Sequence, residues 1–277
     1  MVVDNIENIK CLCGCENFKT VFVYDGPPPD EVIFKFSEGV NYHREIWQCE
    51  VCSHFLSVHD MDMTSLYEDD YVSTNYGDSG ILEAFNRINA LDPDKSDNIG
   101  RVKCVCAYAK EHFADNRHHS VLDIGSGLCV FLYQMKEFGW DCTALDPDPR
   151  AVKHAKGVVQ VKAFCGDFLK MNDFGMYDVI TFNRVLEHVK NPVDLLNKSR
   201  QSLNSNGFVY VELPDGETAS FNGKEREEFA IDHIHVFSEK SFKKLIQLAG
   251  FTLKKIERKK EPSSKYSLRA FMIPYKK

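Results

Sequence analysis

The chain has 277 residues, of which 43% are hydrophobic and 27% charged, and its formal net charge is −7. That length is sufficient for one full-sized domain and a smaller one, with a sizeable buried core. No apolar run is long enough to cross a membrane, and Asp4 and Glu7 stand where a signal peptide would be basic and then apolar. We therefore expect a soluble, cytoplasmic protein with no membrane partner, and the negative charge argues against a main role in binding nucleic acid.

Residues 1–60 contain five of the chain's ten cysteines. Because no secretion signal accompanies them, we expect reduced thiols, and their two short-spaced clusters match the two knuckles of a tetrahedral zinc site. This predicts a small zinc-ribbon-like module that binds Zn²⁺ through Cys11, Cys13, Cys49 and Cys52. The first pair is irregularly spaced, so Cys15 or His54 remains a substitute for one of its members. Ordinary reduced core cysteines are the alternative interpretation.

Residues 61–117 are predicted to form a connecting or lid segment, and residues 118–277 the main domain. From Ser120 onward, apolar runs alternate with amphipathic stretches, which is typical of parallel strands covered by helices on both faces. The predicted strands are 121–124, 141–145, 158–164, 177–183 and 208–213, followed by a terminal pair at 252–258 and 267–273. The predicted helices are 130–138, 150–156, 192–203 and 239–249, and a turn is predicted at 204–207.

The first strand of this domain breaks into a turn at Gly125 and Gly127 and then opens a helix. Such a turn lets the backbone bend sharply and leaves N–H groups facing a nucleotide-like ligand. Ligands of these sheets lie at the carboxyl ends of the strands. The side chains predicted there are Asp123, Asp146, Asp167, Phe168 and Asn183. Asp146 follows Asp123 by 23 residues, close to the roughly 20-residue offset of ribose-binding acids in dinucleotide folds.

Five motifs in this order resemble the motif series of class I S-adenosylmethionine-dependent methyltransferases: 123–127, 146, 166–168, 177–180 and 185–189. The resemblance implies an α/β, Rossmann-like fold, with a seven-stranded, mostly parallel sheet, helices on both faces and a C-terminal antiparallel hairpin. It implies S-adenosylmethionine as the cofactor. The implied binding residues are Asp123, Gly125 and Gly127 near the methionine part, Asp146 at the ribose, and Asp167 and Phe168 at the adenine.

The third glycine of the family motif is Cys129 in this chain. Because a thiol is small, we expect cofactor binding to survive the replacement. A nicotinamide-dependent enzyme is the structural competitor, since it also uses a glycine turn and a ribose-binding acid. Its G-x-G-x-x-G spacing would place a glycine at position 130, which is Val130 here, so methyl transfer is favoured over hydride transfer.

Two segments supply histidines that are candidates for removing a proton from the acceptor. Methyl transfer from a sulfonium requires mainly that the acceptor be positioned and deprotonated, and histidine titrates near neutral pH. His188 follows the fourth strand, and strand alternation would put His233 and His235 on one face of the segment 232–238. With Asp232 beside it, His233 is the first candidate general base and His188 the second. Surface or helix-cap histidines are the alternative.

The cysteine module and the segment 232–238 are together similar to methyltransferases that modify nucleotide-linked sugars. The motif Cys49-x-x-Cys52 followed by 66–71 resembles their zinc-binding part, and Leu213-Pro214 and 249–251 add to the likeness. Their C-methylating members continue into a further C-terminal domain. Since this chain stops soon after its final predicted strand, O-methylation is at least as well supported as C-methylation.

This second resemblance implies roles for four residues. Asp232 and His233 occupy the position associated with removal of the acceptor proton, and Tyr71 and Tyr76 follow the metal module where tyrosines approach the acceptor. Tyrosines that only pack are an equal alternative for the last two.

The leading hypothesis is therefore S-adenosylmethionine-dependent methyl transfer to a small polar acceptor, a hydroxyl or carbon of a nucleotide-linked sugar. An RNA methyltransferase is the second hypothesis, and it would require a basic N-terminal face. Residues 1–60 hold more acidic than basic side chains, which favours the small acceptor and makes nucleic acid an unlikely partner. A catalytically silent binding module of the same fold is the third, and the oligomeric state stays open.

Overall fold

Two sheets organise the part of the chain that the computed structural model describes, which is residues 9–29, 31, 42–61, 71–115 and 117–275, with backbone alone at 71–79. The strands are β1 (Phe18–Tyr24), β2 (Arg44–Cys49), β3 (Phe55–Val58), β4 (Ser120–Ile124), β5 (Asp141–Asp146), β6 (Lys162–Cys165), β7 (Tyr177–Asn183), β8 (Leu203–Pro214), β9 (His235–Val236), β10 (Phe251–Lys260) and β11 (Tyr266–Pro274). The helices are α1 (Tyr71–Asn89), α2 (Asp97–His112), α3 (Val130–Glu137), α4 (Pro149–His154), α5 (Pro192–Lys198), α6 (Gly216–Ser220) and α7 (Glu239–Leu248).

The larger sheet has seven strands in the order β10-β11-β8-β7-β4-β5-β6. The five strands from β8 to β6 run parallel, and β10 and β11 form an antiparallel hairpin whose β11 pairs with β8. This confirms the predicted seven-stranded, mostly parallel fold. The chain crosses from β4 to β5 in one direction along the sheet and from β7 to β8 in the opposite direction. The strand order therefore reverses between β4 and β7. A ligand crevice is expected at that switch point, outside the carboxyl ends of the strands.

Helices cover both faces of this sheet, as the alternating pattern predicted. Val121 and Leu122 are consecutive in β4, yet they lie in two different apolar clusters. Leu122 packs on the side of α5 and α7, and Val121 on the side of α2 and α3. Both side chains are fully buried, and each such burial contributes roughly 1.5–3 kcal/mol to folding. The central strands are therefore apolar on both faces and hold the carboxyl edge rigidly.

Three predicted elements differ from the structure. The segment predicted as a strand at 158–164 begins instead with a π-helical turn over Ala155–Val159 that continues α4, and β6 starts only at Lys162. The helix predicted at 192–203 ends at Lys198 and is followed by a 3₁₀ turn. The predicted turn at 204–207 lies inside β8, where Gly207 is required for close approach: a Cβ there would lie 2.8 Å from the Asp178 carbonyl oxygen.

The smaller sheet has the order β1-β2-β3-β9, so the short strand β9 of the C-terminal half completes it. Strand β9 covers only His235 and Val236 of the segment 232–238, and Asp232 lies in a turn before it. The predicted strand alternation across this segment was therefore wrong, and His233 and His235 reach different surroundings. The division of the chain at residues 60 and 117 stays a prediction. Among the described residues, no helix is long and apolar enough to span a membrane.

Candidate functional site

The glycine turn after β4 joins the ends of two strands. Gly125 has φ +71°, and a Cβ on it would lie 2.7 Å from Cγ2 of Val185. Gly127 has φ +48°, and its N–H donates to Oδ2 of Asp146 at 2.8 Å. Cys129, at the position of the third family glycine, is buried with φ +59° and precedes α3. Positive φ disfavours ordinary side chains, so the turn depends on glycine at its first two positions.

Asp123 lies buried at the end of β4, and its carboxylate links β4 to β7. Its Oδ1 accepts from Oγ1 of Thr181 at 2.6 Å and from Nδ2 of Asn183 at 2.8 Å. Burial raises the pKa of Asp123 to about 7, although both hydrogen bonds act in the opposite direction. Oδ1 of Asn183 and Oγ of Ser126 are buried and lack a hydrogen-bond partner among the described residues. Buried polar atoms in this state indicate an edge built to receive a further polar group.

Asp146 ends β5, and both of its carboxylate oxygens accept backbone hydrogen bonds. Oδ1 accepts from the N–H of Asp148 at 2.9 Å, and Oδ2 accepts from Gly127. Burial raises the pKa of this carboxyl. A carboxylate has about four lone-pair sites, so Asp146 retains capacity for the two hydroxyls of a ribose.

Asp167 and Phe168 follow β6, and the structure separates their roles. Asp167 is exposed and its Oδ1 accepts from the N–H of Leu169 at 2.9 Å. Phe168 is buried, and its ring stacks on Phe174 with centroids 5.1 Å apart. The N–H of Gly166 donates to the carbonyl of Asp146 at 3.0 Å, which ties this loop to the end of β5. Asp167 therefore offers a polar group beside the crevice, whereas Phe168 is part of the core.

The loop after β7 carries the second half of the site. Val185 packs on the glycine turn, and Glu187 and His188 follow it in a 3₁₀ turn. His188 and His233 meet edge to face, with ring centroids 4.9 Å apart. Nδ1 of His188 lies 3.0 Å from the carbonyl oxygen of Asp232 and 3.5 Å from its Oδ2. The structure thus brings together all three residues predicted for proton transfer in these two segments.

The electrostatics of these histidines follow from burial. Nδ1 of His233 lies 2.8 Å from the carbonyl oxygen of Glu228, which assigns the proton to Nδ1 and a lone pair to Nε2. Burial lowers the pKa of His233 to about 4, so the ring is neutral near pH 7. Although burial alone would raise the pKa of Asp232, the neighbouring His188 and His233 lower it. The carboxylate is therefore ionised beside two imidazoles, and Nε2 of His233 is able to accept a proton.

Glu187 is a site residue that sequence analysis included in a motif without giving it a role. Its side chain is fully buried, and neither carboxylate oxygen has a hydrogen-bond partner among the described residues. Burial raises its pKa. Glu187, His188 and His233 each present one ligand atom, and these atoms lie within 4.8 Å of one another. The signal in the sequence was an acid directly before a candidate histidine, but its burial is not visible there.

A second feature that sequence analysis missed is a buried ion network at the end of β8. Nη2 of Arg101 lies 2.6 Å from Oε1 of Glu212, and Nε of Arg269 lies 3.1 Å from its Oε2. Although burial would raise the pKa of Glu212, these arginines hold it well below its usual range. The network fixes α2 and β11 against β8, next to the crevice.

Four cysteine thiols converge at the N-terminal sheet, although they come from two segments that are far apart in sequence. Sγ of Cys11 lies 3.3 Å from Sγ of Cys52, Sγ of Cys13 lies 3.6 Å from Sγ of Cys49, and all four lie within 4.8 Å of one another. A tetrahedral zinc ion with Zn–S bonds of about 2.3 Å spaces its sulfurs about 3.8 Å apart. The four thiols are reduced and arranged at nearly that spacing.

The two substitutes considered for this cluster lie elsewhere. Cys15 is outside it, with its sulfur 3.3 Å from the N–H of Asn17. His54 is fully buried between Nδ1 of His235, 3.0 Å away, and Oγ of Ser241, 3.1 Å away. His235 thus packs against the module instead of joining His188 and His233.

The predicted acceptor tyrosines lie at the edge of the described structure. α1 begins at Tyr71 and includes Tyr76, but their side chains lie outside the described residues, as does the whole segment 62–70. Farther along α1, Phe85 packs edge to face on Tyr133 of α3, with ring centroids 5.2 Å apart. α1 therefore lies against the helix that starts at the glycine turn.

The chain is similar to known proteins chiefly over the large sheet. The family model of a methyltransferase domain matches residues 99–256, a range that contains both the crevice and the histidine cluster. No curated protein matches the chain in sequence.

Solved structures of similar fold include 1,6-didemethyltoxoflavin-N1-methyltransferase from Burkholderia thailandensis with bound 1,6-didemethyltoxoflavin and S-adenosylhomocysteine. It is 16% identical, covers 84% of this chain and 96% of that one, and has a TM-score of 0.56. Magnesium protoporphyrin IX methyltransferase from Synechocystis PCC 6803 with bound S-adenosylhomocysteine is 14% identical. The similarity covers 75% of this chain and 100% of that one, with a TM-score of 0.54. At these identities the likeness concerns the fold.

Proposed function

Because the chain belongs to the family of methyltransferase domains, we propose that it transfers a methyl group from S-adenosylmethionine to a hydroxyl or carbon of a nucleotide-linked sugar. The observation that carries this proposal is the contact between the two halves of the site. Val185 packs on the glycine turn and directly precedes the loop of Glu187 and His188. A cofactor crevice and a proton acceptor thus share one edge of the sheet.

Five features of the crevice fit the cofactor. Asp123 provides a buried carboxylate for the ammonium of the methionine part, and Gly127 has no atom within 4 Å of where its Cβ would be. The buried Oγ of Ser126 and Oδ1 of Asn183 provide further hydrogen-bonding atoms. Asp146 is assigned to the ribose hydroxyls. Since Phe168 packs in the core, Asp167 is the polar group assigned to the adenine.

S-adenosylmethionine supplies a methyl carbon on a positively charged sulfur, which is already activated toward an attacking oxygen. In O-methylation the acceptor oxygen bonds to that carbon as the carbon–sulfur bond breaks, and the hydroxyl proton passes to Nε2 of His233. Asp232 is placed to stabilise the His233 imidazolium that results. A positioned base of this kind contributes on the order of 10²–10⁴ in rate. His188 is the second candidate base, and Tyr71 and Tyr76 are proposed to contact the acceptor.

Support for a small acceptor comes from charge and from one similar structure. The N-terminal 60 residues hold more acidic than basic side chains, which disfavours an extended RNA surface. The similar methyltransferase from Burkholderia thailandensis was solved with bound 1,6-didemethyltoxoflavin, a small molecule, and S-adenosylhomocysteine. The four-cysteine cluster is assigned to a structural Zn²⁺, since four thiolate ligands fill the tetrahedral coordination and leave no open position for catalysis.

Incubation of the full chain with methyl-labelled S-adenosylmethionine tests this function. The acceptor panel contains nucleotide sugars and, separately, structured RNA. We expect label in a nucleotide sugar, and a loss of about 10²–10⁴ in kcat for His233→Ala with zinc and cofactor binding retained. Label in RNA alone would establish the rival RNA methyltransferase, and absence of label in every acceptor would favour a silent binding module.

A further inference from the structure

We propose that Glu187, His188 and His233 bind a divalent metal ion at the acceptor side of the crevice. The ion would hold the acceptor oxygen, and this second statement rests on the proposed methyl transfer. The three ligand atoms lie within 4.8 Å of one another, which is close enough for one ion to reach all of them. The site is distinct from the four-cysteine cluster in both position and ligand chemistry.

The strongest observation is the state of the Glu187 carboxylate. The side chain is 0% exposed, and neither oxygen has a hydrogen-bond partner among the described residues. A buried carboxylate without a donor or a cation is costly by several kcal/mol, which is why buried charges are normally paired or bound to metals. A divalent cation facing both oxygens would remove that cost. Among the described residues no ion pair joins an arginine or lysine to Glu187, and the charges of His188 and Arg184 only partly offset the effect of burial on its pKa. Arg184 is itself paired with Glu212.

The two imidazoles are oriented as metal ligands usually are. Nδ1 of His233 faces the carbonyl oxygen of Glu228 at 2.8 Å, and Nδ1 of His188 faces that of Asp232 at 3.0 Å. Metal-binding histidines commonly donate one ring N–H to a carbonyl or carboxylate, which fixes the tautomer and directs the other nitrogen's lone pair at the metal. In both residues this nitrogen is Nε2.

A second pair of buried histidines in the molecule provides a contrast. Nε2 of His54 lies 3.0 Å from Nδ1 of His235, and Nδ1 of His54 contacts Oγ of Ser241. There the two rings are hydrogen-bonded to each other. Among the described residues, no carboxylate lies close enough to form a potential metal site with them. The pair at His188 and His233 instead converges on an unpartnered acid.

The ligand set indicates the class of metal. One carboxylate and two imidazoles suit Zn²⁺, Mn²⁺, Co²⁺ or Fe²⁺, and three protein ligands leave coordination positions open for an acceptor oxygen. Coordination to such an ion makes a hydroxyl more acidic. The proton would then leave to solvent, the oxygen would bond to the methyl carbon, and the carbon–sulfur bond would break. In the metal-loaded protein His233 is a ligand, and in the metal-free protein it is the base described above.

Binding of Mn²⁺ to the full chain, with its cysteine cluster filled with zinc, tests the site directly. Mn²⁺ is the probe because it disfavours thiolate ligands and its paramagnetic signal distinguishes free from bound ion. We expect about one saturable Mn²⁺ per chain, and Glu187→Gln should weaken its affinity at least about tenfold, with partial recovery in Glu187→Asp. His235→Gln is the matched control, a buried histidine in the same segment outside the site, and should bind Mn²⁺ as the wild type does.

Failure of the metal site and failure of the proposed function give different results. Circular dichroism and S-adenosylhomocysteine binding establish that Glu187→Gln is folded. No saturable Mn²⁺ in the wild type, or equal affinity in folded Glu187→Gln, overturns the site. Mn²⁺ binding without methyl transfer to any nucleotide sugar supports the site and overturns the acceptor. Methyl transfer that neither falls on removal of Mn²⁺ nor rises on its return overturns the ion's role in holding the acceptor.

Discussion

The cofactor crevice and the four-cysteine cluster both lie on short loops, but they are held in place by different forces. The crevice lies at the edge of a seven-stranded sheet with a large apolar cluster on each face, and backbone bonds such as Gly127 N–H to Asp146 fix its shape. Around the cysteine cluster, the apolar neighbours are mainly the cysteines themselves and Phe18. The crevice is thus preorganised by the core, whereas we propose that the cluster relies on a bound zinc ion to offset the cost of ordering its loops.

The largest expected effect comes from a substitution that removes zinc from the cysteine cluster and leaves the crevice intact. Cys49→Ser should reduce bound zinc from about one per chain to none, because the cluster loses one of four ligands. Structural zinc sites contribute on the order of 10 kcal/mol, so amide hydrogens of β1–β3 should exchange much faster. S-adenosylhomocysteine should bind as before. Zinc analysis, hydrogen exchange and calorimetry measure the three quantities.

Cys15→Ser is the matched control, since Cys15 lies next to the cluster in sequence but its sulfur accepts a hydrogen bond from the N–H of Asn17. It should keep its zinc and its exchange rates. Zinc retained in Cys49→Ser, or lost in Cys15→Ser, would show that the ligand set is different.

The next effect reverses the comparison by damaging only the crevice. Gly127→Val should weaken S-adenosylhomocysteine binding on the order of 100-fold, because valine tolerates φ +48° poorly and fills space left for the ligand. Zinc content should be unchanged. Gly100→Val is the control, at another glycine with open space but with ordinary helical backbone. Equal affinity in the Gly127 variant would place the cofactor elsewhere.

The smallest effect is a pH dependence confined to the crevice. Burial raises the pKa of Asp123 to about 7, and a nearby cofactor ammonium would favour its ionised form and lower that pKa on binding. Binding would then release a proton, so affinity should fall as pH decreases below 7, by at most about tenfold per unit. Asp123→Asn should bind with little pH dependence over the same range. A wild-type affinity independent of pH would remove Asp123 from contact with the ammonium.

Much of the main sheet was predictable because its strands follow local rules. Strands such as β4 are buried on both faces and end at glycine or acidic residues, so their ends could be located from the pattern. The boundary before β6 could not, since Val158 and Val159 are equally compatible with a strand and with the π-helical turn they form. Gly207 is a residue type that is common in turns, but here it allows the backbone to approach the carbonyl oxygen of Asp178 closely. That contact involves a distant part of the chain.

The sequence by itself determined the fold class, the glycine turn with its acidic strand ends, and the supply of thiols, because period, turn chemistry and composition are local properties. Only the tertiary structure decided which side chains meet. His188 and Asp232 are 44 residues apart, and His54 and His235 are 181 apart. Their pairing, and the burial of Glu187 without a partner, depend on how loops from separate strands pack at one edge, which no local pattern specifies.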